Sequence, residues 1–195
     1  MDSHTFKPWH HPACLSDEAL LAQCKLGTGR TGGPGGQNRN KVETLIELTH
    51  LPTGIESHAG ERRSQIENKR VALRRLRLAL AVDFRAPVHP GPVGSELWRS
   101  RRKAAPKDAT AGSPPKSRWD RGGEGLMEVN PDHHDYPALL AEALDILAAA
   151  DWDPKPASLR LNCSPTQLLK LIRAHPPAFL AFNAHRAKQG NPPVR

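Results

Sequence analysis

Residues 44–59, TLIELTHLPTGIESHA, alternate between apolar and polar side chains on both sides of a short turn sequence. Ile46 and Leu48 fall on one face of a strand, since successive side chains of a strand point to opposite faces. Pro52 and Gly54 then occupy positions that a tight type I turn uses, after which IESHA resumes the alternation. The stretch therefore predicts a β-hairpin, and the rest of a small domain is built around it.

The sequence on both sides of the hairpin predicts further elements of this domain. Residues 24–30 have strand character, and Ser16 is the predicted N-cap of a short helix over SDEALLAQC. From about Glu61 the apolar period becomes helical. The face predicted to pack on the hairpin carries Ile66, Leu73, Leu76 and Leu80. The opposite face is predicted to carry Arg63, Arg70, Arg74 and Arg77. The prediction is an α+β domain over residues 16–86 with one long packed helix, preceded by a tail over residues 1–15.

The second half of the chain predicts a linker and a group of helices. Residues 87–130 are rich in Pro and Gly and include the basic run WRSRRKAAPKDATAGSPPKSRWDR, which predicts a flexible basic linker. Residues 131–195 predict a small helical bundle. PALLAEALDILAAA starts with Pro137, a residue that suits the first position of a helix. Ser164 and Gln167 form a capping-box pattern, and Gly190 ends a last helix over 178–188. The segment LNCSPTQLLKLIRA is similar to a helix-turn-helix, with a helical hairpin that packs on itself or on a protein as the alternative.

The charge of the chain indicates the class of its partner. The formal net charge is +8 and the pI is near 9.8, which favours a polyanion such as nucleic acid. About +4 of this lies in residues 1–90, about +3 in 91–130 and about +1 in the remainder. We expect neither a membrane partner nor a signal peptide, because no apolar run is long enough. Three widely spaced cysteines favour a reducing cytoplasm over a disulfide framework.

Two groups of side chains have the chemistry of metal ligands but not the spacing of usual zinc sites. They are His10, His11, Cys14 and Cys24, and Asp132, His133, His134 and Asp135. We interpret both as ordinary polar segments, and we predict no metal and no cofactor.

The stretch TGGPGGQNRNKVET, residues 31–44, directly precedes the hairpin and admits three interpretations. GTGRTG, residues 27–32, fits a dinucleotide fingerprint, but more glycines follow where that motif requires a helix. A flexible surface loop accounts for the glycines but not for the polar set after them. The third interpretation is a tip without Cβ atoms that enters a narrow space and presents backbone N–H groups at close range. The loop holds no Ser, His or Cys nucleophile, so its chemistry would be positioning and polar stabilisation.

The segments GGPGGQNRNKVET and LTHLPTGIESHAGERRSQIENKRVALRRL resemble the GGQ domain of class I peptide chain release factors and of codon-independent ribosome-rescue hydrolases. The resemblance covers about residues 16–85 and includes G-G-Q, N-x-N-K, H-x-P-T-G-I and E-R-[RS]-x-Q-x-x-N-K in order. It implies that the loop enters the peptidyl transferase centre, where water hydrolyses the ester of P-site peptidyl-tRNA. The resemblance makes Gln37 the catalytic glutamine: its N–H would stabilise the transition state and its side chain would position water and exclude larger nucleophiles. Gly35 and Gly36 would shape the backbone.

The resemblance also implies contacts with ribosomal RNA. Candidates that hold the base of the loop or touch rRNA are Arg39, Asn40 and Lys41. Candidates for rRNA phosphates are Arg62, Arg63, Arg70 and Arg74. Outside the resemblance, the basic run of the linker adds Arg101, Arg102 and Lys103 as candidates for RNA binding. Members of that family are often methylated on the motif glutamine, so Gln37 is a candidate for methylation and a glutamine methyltransferase a candidate partner. The expected partners are large-subunit rRNA and peptidyl-tRNA, and the protein is expected to be a monomer.

The layout of the chain favours a rescue hydrolase over a stop-codon factor. Stop-codon factors carry a decoding domain ahead of the GGQ domain, and we find no decoding tripeptide in a plausible setting here. Rescue hydrolases end in a basic tail, however, whereas the strongest basic run of this chain, 99–121, is internal. Two alternatives stay open: a non-catalytic RNA- or ribosome-binding protein that keeps the fold, and a DNA-binding regulator that uses the C-terminal helices.

Overall fold

A computed structural model describes residues 10–30, 43–88, 94–104, 124–127 and 130–194. These residues form two compact units, the first over His10–Phe84 and the second beginning at Arg85. The architecture is α+β, as predicted. Within the described ranges, no helix combines the length and the apolar character needed to cross a membrane.

A three-stranded antiparallel sheet forms one layer of the first unit. Its strands are β1 (Cys24–Gly29), β2 (Leu45–His50) and β3 (Glu56–Ala59), in the order β1-β2-β3. The predicted hairpin is confirmed, because β2 and β3 pair with Leu48 opposite Ser57. Ile46 and Leu48 are both buried, so the alternation seen in the sequence does mark the core face.

The turn between β2 and β3 is closed by backbone bonds to a single residue. The carbonyl of His50 accepts from the N–H groups of Thr53 (3.2 Å) and Gly54 (2.8 Å), and its N–H donates to the carbonyl of Ile55 (2.9 Å). Gly54 has a φ of 72°, in the left-handed region where glycine carries no Cβ penalty. The left-handed φ explains why the sequence places a glycine at position 54.

Two helices complete the first unit. Helix α1 (Asp17–Ala22) begins at Ser16, whose hydroxyl accepts from the N–H of Ala19 at 3.2 Å, as predicted. Helix α2 (Gln65–Asp83) packs on the sheet through buried leucines. The buried leucines are Leu73, Leu76 and Leu80. The prediction that Ile66 shares this face is wrong: its side chain is 69% exposed, because the buried position in the first turn of α2 is filled by the polar Asn68.

The first unit starts earlier than the predicted domain. Residues Pro12–Cys14 form a short 3-10 helix, and Ala13 and His11 are buried. The His11 Nδ1 accepts from the N–H of Ala13 (3.0 Å), while its Nε2 lies 3.4 Å from the carbonyl of Phe84. Residues 11–14, at the end of the segment predicted as a tail, therefore belong to the first unit and contact its last residue, Phe84.

The second unit contains regular structure where the sequence predicted a flexible linker. Helix α3 (Glu96–Ser100) is followed by β4 (Arg102–Ala104), which pairs with β5 (Glu124–Met127). The prediction is wrong for these residues because Trp98 is buried and its indole N–H donates to the carbonyl of Leu161 at 3.0 Å. Three parts of the predicted linker, at 89–93, 105–123 and 128–129, lie outside the described residues.

Helices form the remainder of the second unit. They are α4 (Tyr136–Ala148), α5 (Pro154–Arg160), α6 (Pro165–Arg173) and α7 (Pro176–Lys188). The Ser164 capping box is present, with its hydroxyl accepting from the N–H of Gln167 at 3.1 Å. Asn162, at the turn between α5 and α6, has a φ of 51°, and Cys163 is buried. Burial raises the pKa of the Cys163 thiol to about 12.

Candidate functional site

The two ends of the glycine-rich segment are held side by side by the sheet. Gly29, the last residue of β1, pairs with Leu45, the first residue of β2, and Thr28 pairs with Ile46. The chain between them leaves and returns at one end of the antiparallel β1–β2 pair. The predicted tip residues lie outside the described residues: Gly35, Gly36, Gln37, Arg39, Asn40 and Lys41. Their assignment stays a prediction, whereas the base that carries them is described.

The first turn of α2 holds the C-terminal side of this base. Asn68 is fully buried, and its Nδ2 donates to the carbonyl of Thr44 (2.6 Å) and to that of Arg62 (2.9 Å). Its Oδ1 accepts from the N–H of Arg62 at 2.9 Å. At the start of the same turn, the side-chain amide of Gln65 donates to the carbonyl of Glu43. Buried backbone groups need such partners, so these two amides fix the point where the segment rejoins the fold.

An ion pair spans the two sides of the base. The Nε of Arg30 lies 3.7 Å from a carboxylate oxygen of Glu43, and both side chains are at least half exposed. An exposed pair of this kind contributes about 0–1 kcal/mol and is screened by salt. The strand pairing and the buried Asn68 therefore dominate the anchoring.

The arginines of α2 and of the turn before it divide into an exposed group and a structural group. Arg62 and Arg63 are exposed and lie in the turn before Ser64, not on the helix face where Arg63 was predicted, because the bonds of Asn68 hold the backbone of this turn. Arg70 is exposed on α2, and Arg74 is half-buried. Exposed guanidinium groups are suited to phosphate, with which they form bidentate hydrogen bonds.

The structural group consists of Arg75 and Arg77. The guanidinium of Arg77 is only 13% exposed and donates to the carbonyl of Ala13 and to the carboxylate of Asp17, both at 2.7 Å. The prediction that Arg77 faces outward is wrong, since it ties α2 to α1 and to the 3-10 helix. Arg75 donates to the carbonyl of His58 (2.8 Å) and pairs with Glu61 (2.7 Å). The hydrogen bond from Arg75 lowers the pKa of the Glu61 carboxyl.

A buried histidine supports the sheet at the end of the β1–β2 pair opposite the loop base, where His50 pairs with Cys24. His50 is fully buried, with its Nδ1 2.8 Å from the Thr53 hydroxyl and its Nε2 3.0 Å from Oε1 of Gln23. The carboxamide oxygen can only accept, so Nε2 carries the proton and Nδ1 accepts from Thr53. Desolvation lowers the pKa of His50, which keeps the ring neutral in the folded unit.

Comparison with known proteins finds a family model that matches most of this unit. Residues 21–89 match the model of the RF-1 domain. Residues 21–89 are called the RF-1 domain below, after the model that they match. Its base is the β1–β2 pair and the first turn of α2, and the G-G-Q sequence at 35–37 lies between the two strands.

Release factors from several organisms match the RF-1 domain in sequence. The chloroplastic peptide chain release factor PrfB1 of Arabidopsis thaliana is 55% identical over 53 residues, which is 27% of this chain and 12% of that protein. Peptide chain release factor 1 of Thermotoga maritima is 50% identical over 56 residues, and that of Symbiobacterium thermophilum is 47% identical over 57 residues. Each of these two matches covers 29% of this chain and 16% of the relative. The matched segment thus spans less than a fifth of the length of the relatives.

The sequence-based interpretation missed the two amides that hold the base of the RF-1 domain loop. Gln65 and Asn68 belong to the quoted pattern E-R-[RS]-x-Q-x-x-N-K, but the sequence alone gave them no role. The available signal was a buried-face position, Asn68, occupied by an amide in the first turn of an otherwise leucine-packed helix. A polar side chain at such a position requires hydrogen-bond partners, and here they are backbone groups of the loop base and of the arginine turn.

The other predicted basic residues lie in the second unit. The guanidinium of Arg101 forms an ion pair with the carboxylate of Asp135, which partly neutralises its positive charge. Arg102 is partly buried, and desolvation lowers its pKa. The side chain of Lys103 lies outside the described part. A role of these three residues in RNA binding stays a prediction.

The histidine groups have intramolecular partners in the described structure. His133, His134 and Asp135 offer ligand atoms that lie within 4.8 Å of one another. The guanidinium of Arg101 occupies the same cluster, with its Nη2 3.3 Å from Nδ1 of His133. A fixed positive charge there opposes a bound cation. In the first unit, the Cys24 thiol donates to the carbonyl of Leu20 (3.1 Å). The His11 ring contacts the N–H of Ala13 and the carbonyl of Phe84.

Proposed function

We propose that this chain hydrolyses the ester between the nascent peptide and P-site tRNA in the peptidyl transferase centre of the ribosome, without recognition of a stop codon. The observation that carries the proposal is the base of the RF-1 domain loop. Gly29 and Leu45 hold the two ends of a segment with G-G-Q at 35–37, and Asn68 locks the returning strand. A tip that must act inside an RNA cavity needs such a rigid support.

The proposed chemistry is ester hydrolysis by positioned water. Water adds to the ester carbonyl carbon, the bond to the tRNA 3′ oxygen breaks, the peptide leaves as a carboxylic acid and the 3′ oxygen takes a proton. The N–H of Gln37 donates to the developing negative charge, and its carboxamide orients the water and excludes larger nucleophiles. Gly35 and Gly36 allow the backbone to approach. A single preorganised donor of this kind contributes roughly a hundredfold to a thousandfold in rate.

The exposed arginines of the RF-1 domain supply the proposed contact with large-subunit rRNA. Arg62, Arg63 and Arg70 are exposed near the base of the loop, and Arg74 lies one helical turn beyond Arg70. Because phosphate contacts release counterions, ribosome affinity is expected to fall steeply with salt. The proposal places the protein in a compartment that holds ribosomes, with the cytoplasm as the sequence-based expectation.

Codon independence is the sequence-based expectation, drawn from the resemblance to codon-independent ribosome-rescue hydrolases. The test is a peptide-release assay on purified ribosomes that carry labelled peptidyl-tRNA, with no codon, a sense codon or a stop codon in the A site. We expect release in all three cases. Release only at a stop codon would contradict codon independence while leaving the hydrolase in place.

Variants of Gln37 separate the roles of its backbone and its side chain. Gln37→Pro removes the N–H and should lower the release rate by at least a hundredfold at saturating protein. Gln37→Ala keeps the N–H and should slow release by water while admitting hydroxylamine as a competing nucleophile. Gln189→Ala, at an exposed glutamine beyond α7, is the matched control. Unchanged release in both Gln37 variants, with binding lost on charge reversal of Arg70, would favour the non-catalytic ribosome-binding protein.

A further inference from the structure

Charge is sharply segregated in the helical part of the second unit. Residues 131–153 contain six acidic residues and no Lys or Arg. Residues 154–195, here named the acid-free segment, contain no Asp or Glu at all. Its basic residues are Lys155, Arg160, Lys170, Arg173, Arg186, Lys188 and Arg195. The net charge of about +1 over residues 131–195 therefore hides a strongly positive segment, which forms α5, α6 and α7.

One face of α6 presents the exposed cations of this segment. Thr166, Lys170 and Arg173 are spaced at i, i+4 and i+7, and all three are exposed. The opposite face of α6 is buried through Leu168, Leu171 and Ile172. The guanidinium of Arg173 lies 5.2 Å from the centre of the Phe179 ring, a contact that orients it while its residue stays exposed.

Other polar side chains of the acid-free segment form hydrogen bonds within the second unit. Arg186 donates to the carbonyls of Trp152 (2.9 Å) and Pro192 (3.2 Å) and lies over the ring of Phe182. The carboxamide oxygen of Gln167 accepts from the N–H of Ser164 within the capping box. Gln167 is thereby withdrawn from the bidentate contact by which glutamine recognises adenine.

We propose that the α6 face, Thr166, Lys170 and Arg173, docks on the phosphate backbone of folded RNA without recognising base sequence. In a helix-turn-helix that recognises bases, the N-terminal residues of the second helix contact base edges. Here those positions hold Pro165, Thr166 and the capped Gln167, while both cations lie in the second half of α6. Cations in that arrangement suit phosphates, and the narrow major groove of A-form RNA admits phosphate contact but not a helix. The choice of RNA over DNA rests on the proposed ribosomal function.

The test measures binding of the full chain to a labelled 20-base-pair RNA duplex of arbitrary sequence by fluorescence anisotropy, over a series of salt concentrations. The test variant is Lys170→Glu with Arg173→Glu. The matched control is Lys155→Glu with Lys188→Glu, which makes the same charge change in the acid-free segment but on α5 and α7. Lys188 is twelve residues from the start of α7, or about 18 Å along that helix.

We expect the α6 double variant to lose at least tenfold in affinity and the matched control less than threefold. The slope of log affinity against log salt should fall by about two in the α6 variant, one for each phosphate contact. Neutral replacement, Lys170→Gln with Arg173→Gln, should give an intermediate loss, and circular dichroism verifies that all variants are folded. Equal losses in the two double variants would overturn docking by the α6 face, because only the general charge would then matter.

Two further arms separate this proposal from its rivals and from the proposed function. Tenfold tighter binding to a DNA duplex of the same sequence would overturn it in favour of a DNA-binding regulator. Ribosome affinity that depends on the α6 face without any binding to the RNA duplex would overturn it in favour of a protein contact. In the release assay, Gln37→Ala should leave RNA-duplex affinity unchanged, and the α6 variant should keep the release rate at saturating protein. Loss of hydrolysis with retained α6-dependent RNA binding would remove the proposed function and leave this docking surface.

Discussion

Replacing Asn68 by alanine should loosen the base of the RF-1 domain loop and destabilise the first unit. Its side chain makes three hydrogen bonds, two to Arg62 and one to Thr44, and it is fully buried. A buried backbone group left without a partner costs about 1–3 kcal/mol. Water can reach the exposed Arg62 turn, so we expect a loss of about 3 kcal/mol rather than the full sum for three groups.

Hydrogen exchange measures this loss within one unit of a two-unit chain. Exchange of peptides from β2 and α2, followed by mass spectrometry, reports local free energies of opening. Peptides from α4, in the other unit, provide the internal reference. Gln65→Ala is the matched control, because its exposed side chain makes a single bond to Glu43 and its loss should cost under about 1 kcal/mol.

Asn68→Asp separates the hydrogen bonds from the packing. The substitution puts a carboxyl oxygen against the carbonyls of Thr44 and Arg62, which accept only. The pKa of Asp at this position should rise above its unfolded value, about 3.9. A raised carboxyl pKa gives stability that is present at low pH and lost as the pH rises through the folded value. The defect should therefore shrink on acidification. A loss below 1 kcal/mol in Asn68→Ala, or a pH-independent defect in Asn68→Asp, would refute the anchoring role.

Two other substitutions test the buried polar contacts of each unit. The pKa of His50 is lowered in the folded unit, which therefore binds fewer protons than the unfolded chain near the pKa of a free histidine. The first unit should lose stability as the pH falls below about 6.5. Hydrogen exchange of β2 and β3 peptides at pH 7 and pH 5 should show this loss in the wild type and not in His50→Gln. Trp98→Phe removes the N–H that donates to the buried carbonyl of Leu161 and should lower the free energy of unfolding by about 2 kcal/mol. Peptides from α3 and α5 should then exchange faster. Unchanged protection of these peptides would show that the hydrogen bond contributes little.

The sequence was sufficient for elements whose causes are local. The hairpin follows from the alternation around Ile46 and Leu48 and from Gly54 in the turn, all within sixteen residues. The capping box at Ser164 is likewise complete within four residues. Neither interpretation needed a distant partner, because period and turn chemistry act over a few positions.

The sequence was insufficient where a distant partner decides the structure. Helix α3 lies in a segment rich in Pro and Gly, and it is held by Trp98 through a carbonyl 63 residues away. Asn68 gains its role from Thr44, 24 residues upstream. In both cases the residue type is visible in the sequence, but its partner is set by tertiary packing. A buried polar side chain is the clue that such a partner exists.

The arginines of α2 show why net charge predicts a class of partner but not the residues that bind it. Arg70 and Arg77 are seven positions apart and fall on the same face of one helix, so helical period gives them the same interpretation. Tertiary contacts separate them: Arg77 is held by Asp17 and by the carbonyl of Ala13, whereas Arg70 is exposed. Charge reversal at Arg77 would break the first unit and mimic a loss of RNA binding. Reversal at Arg62 or Arg70 changes surface charge alone, so those two positions are the ones at which a lower ribosome affinity would report contact with phosphate.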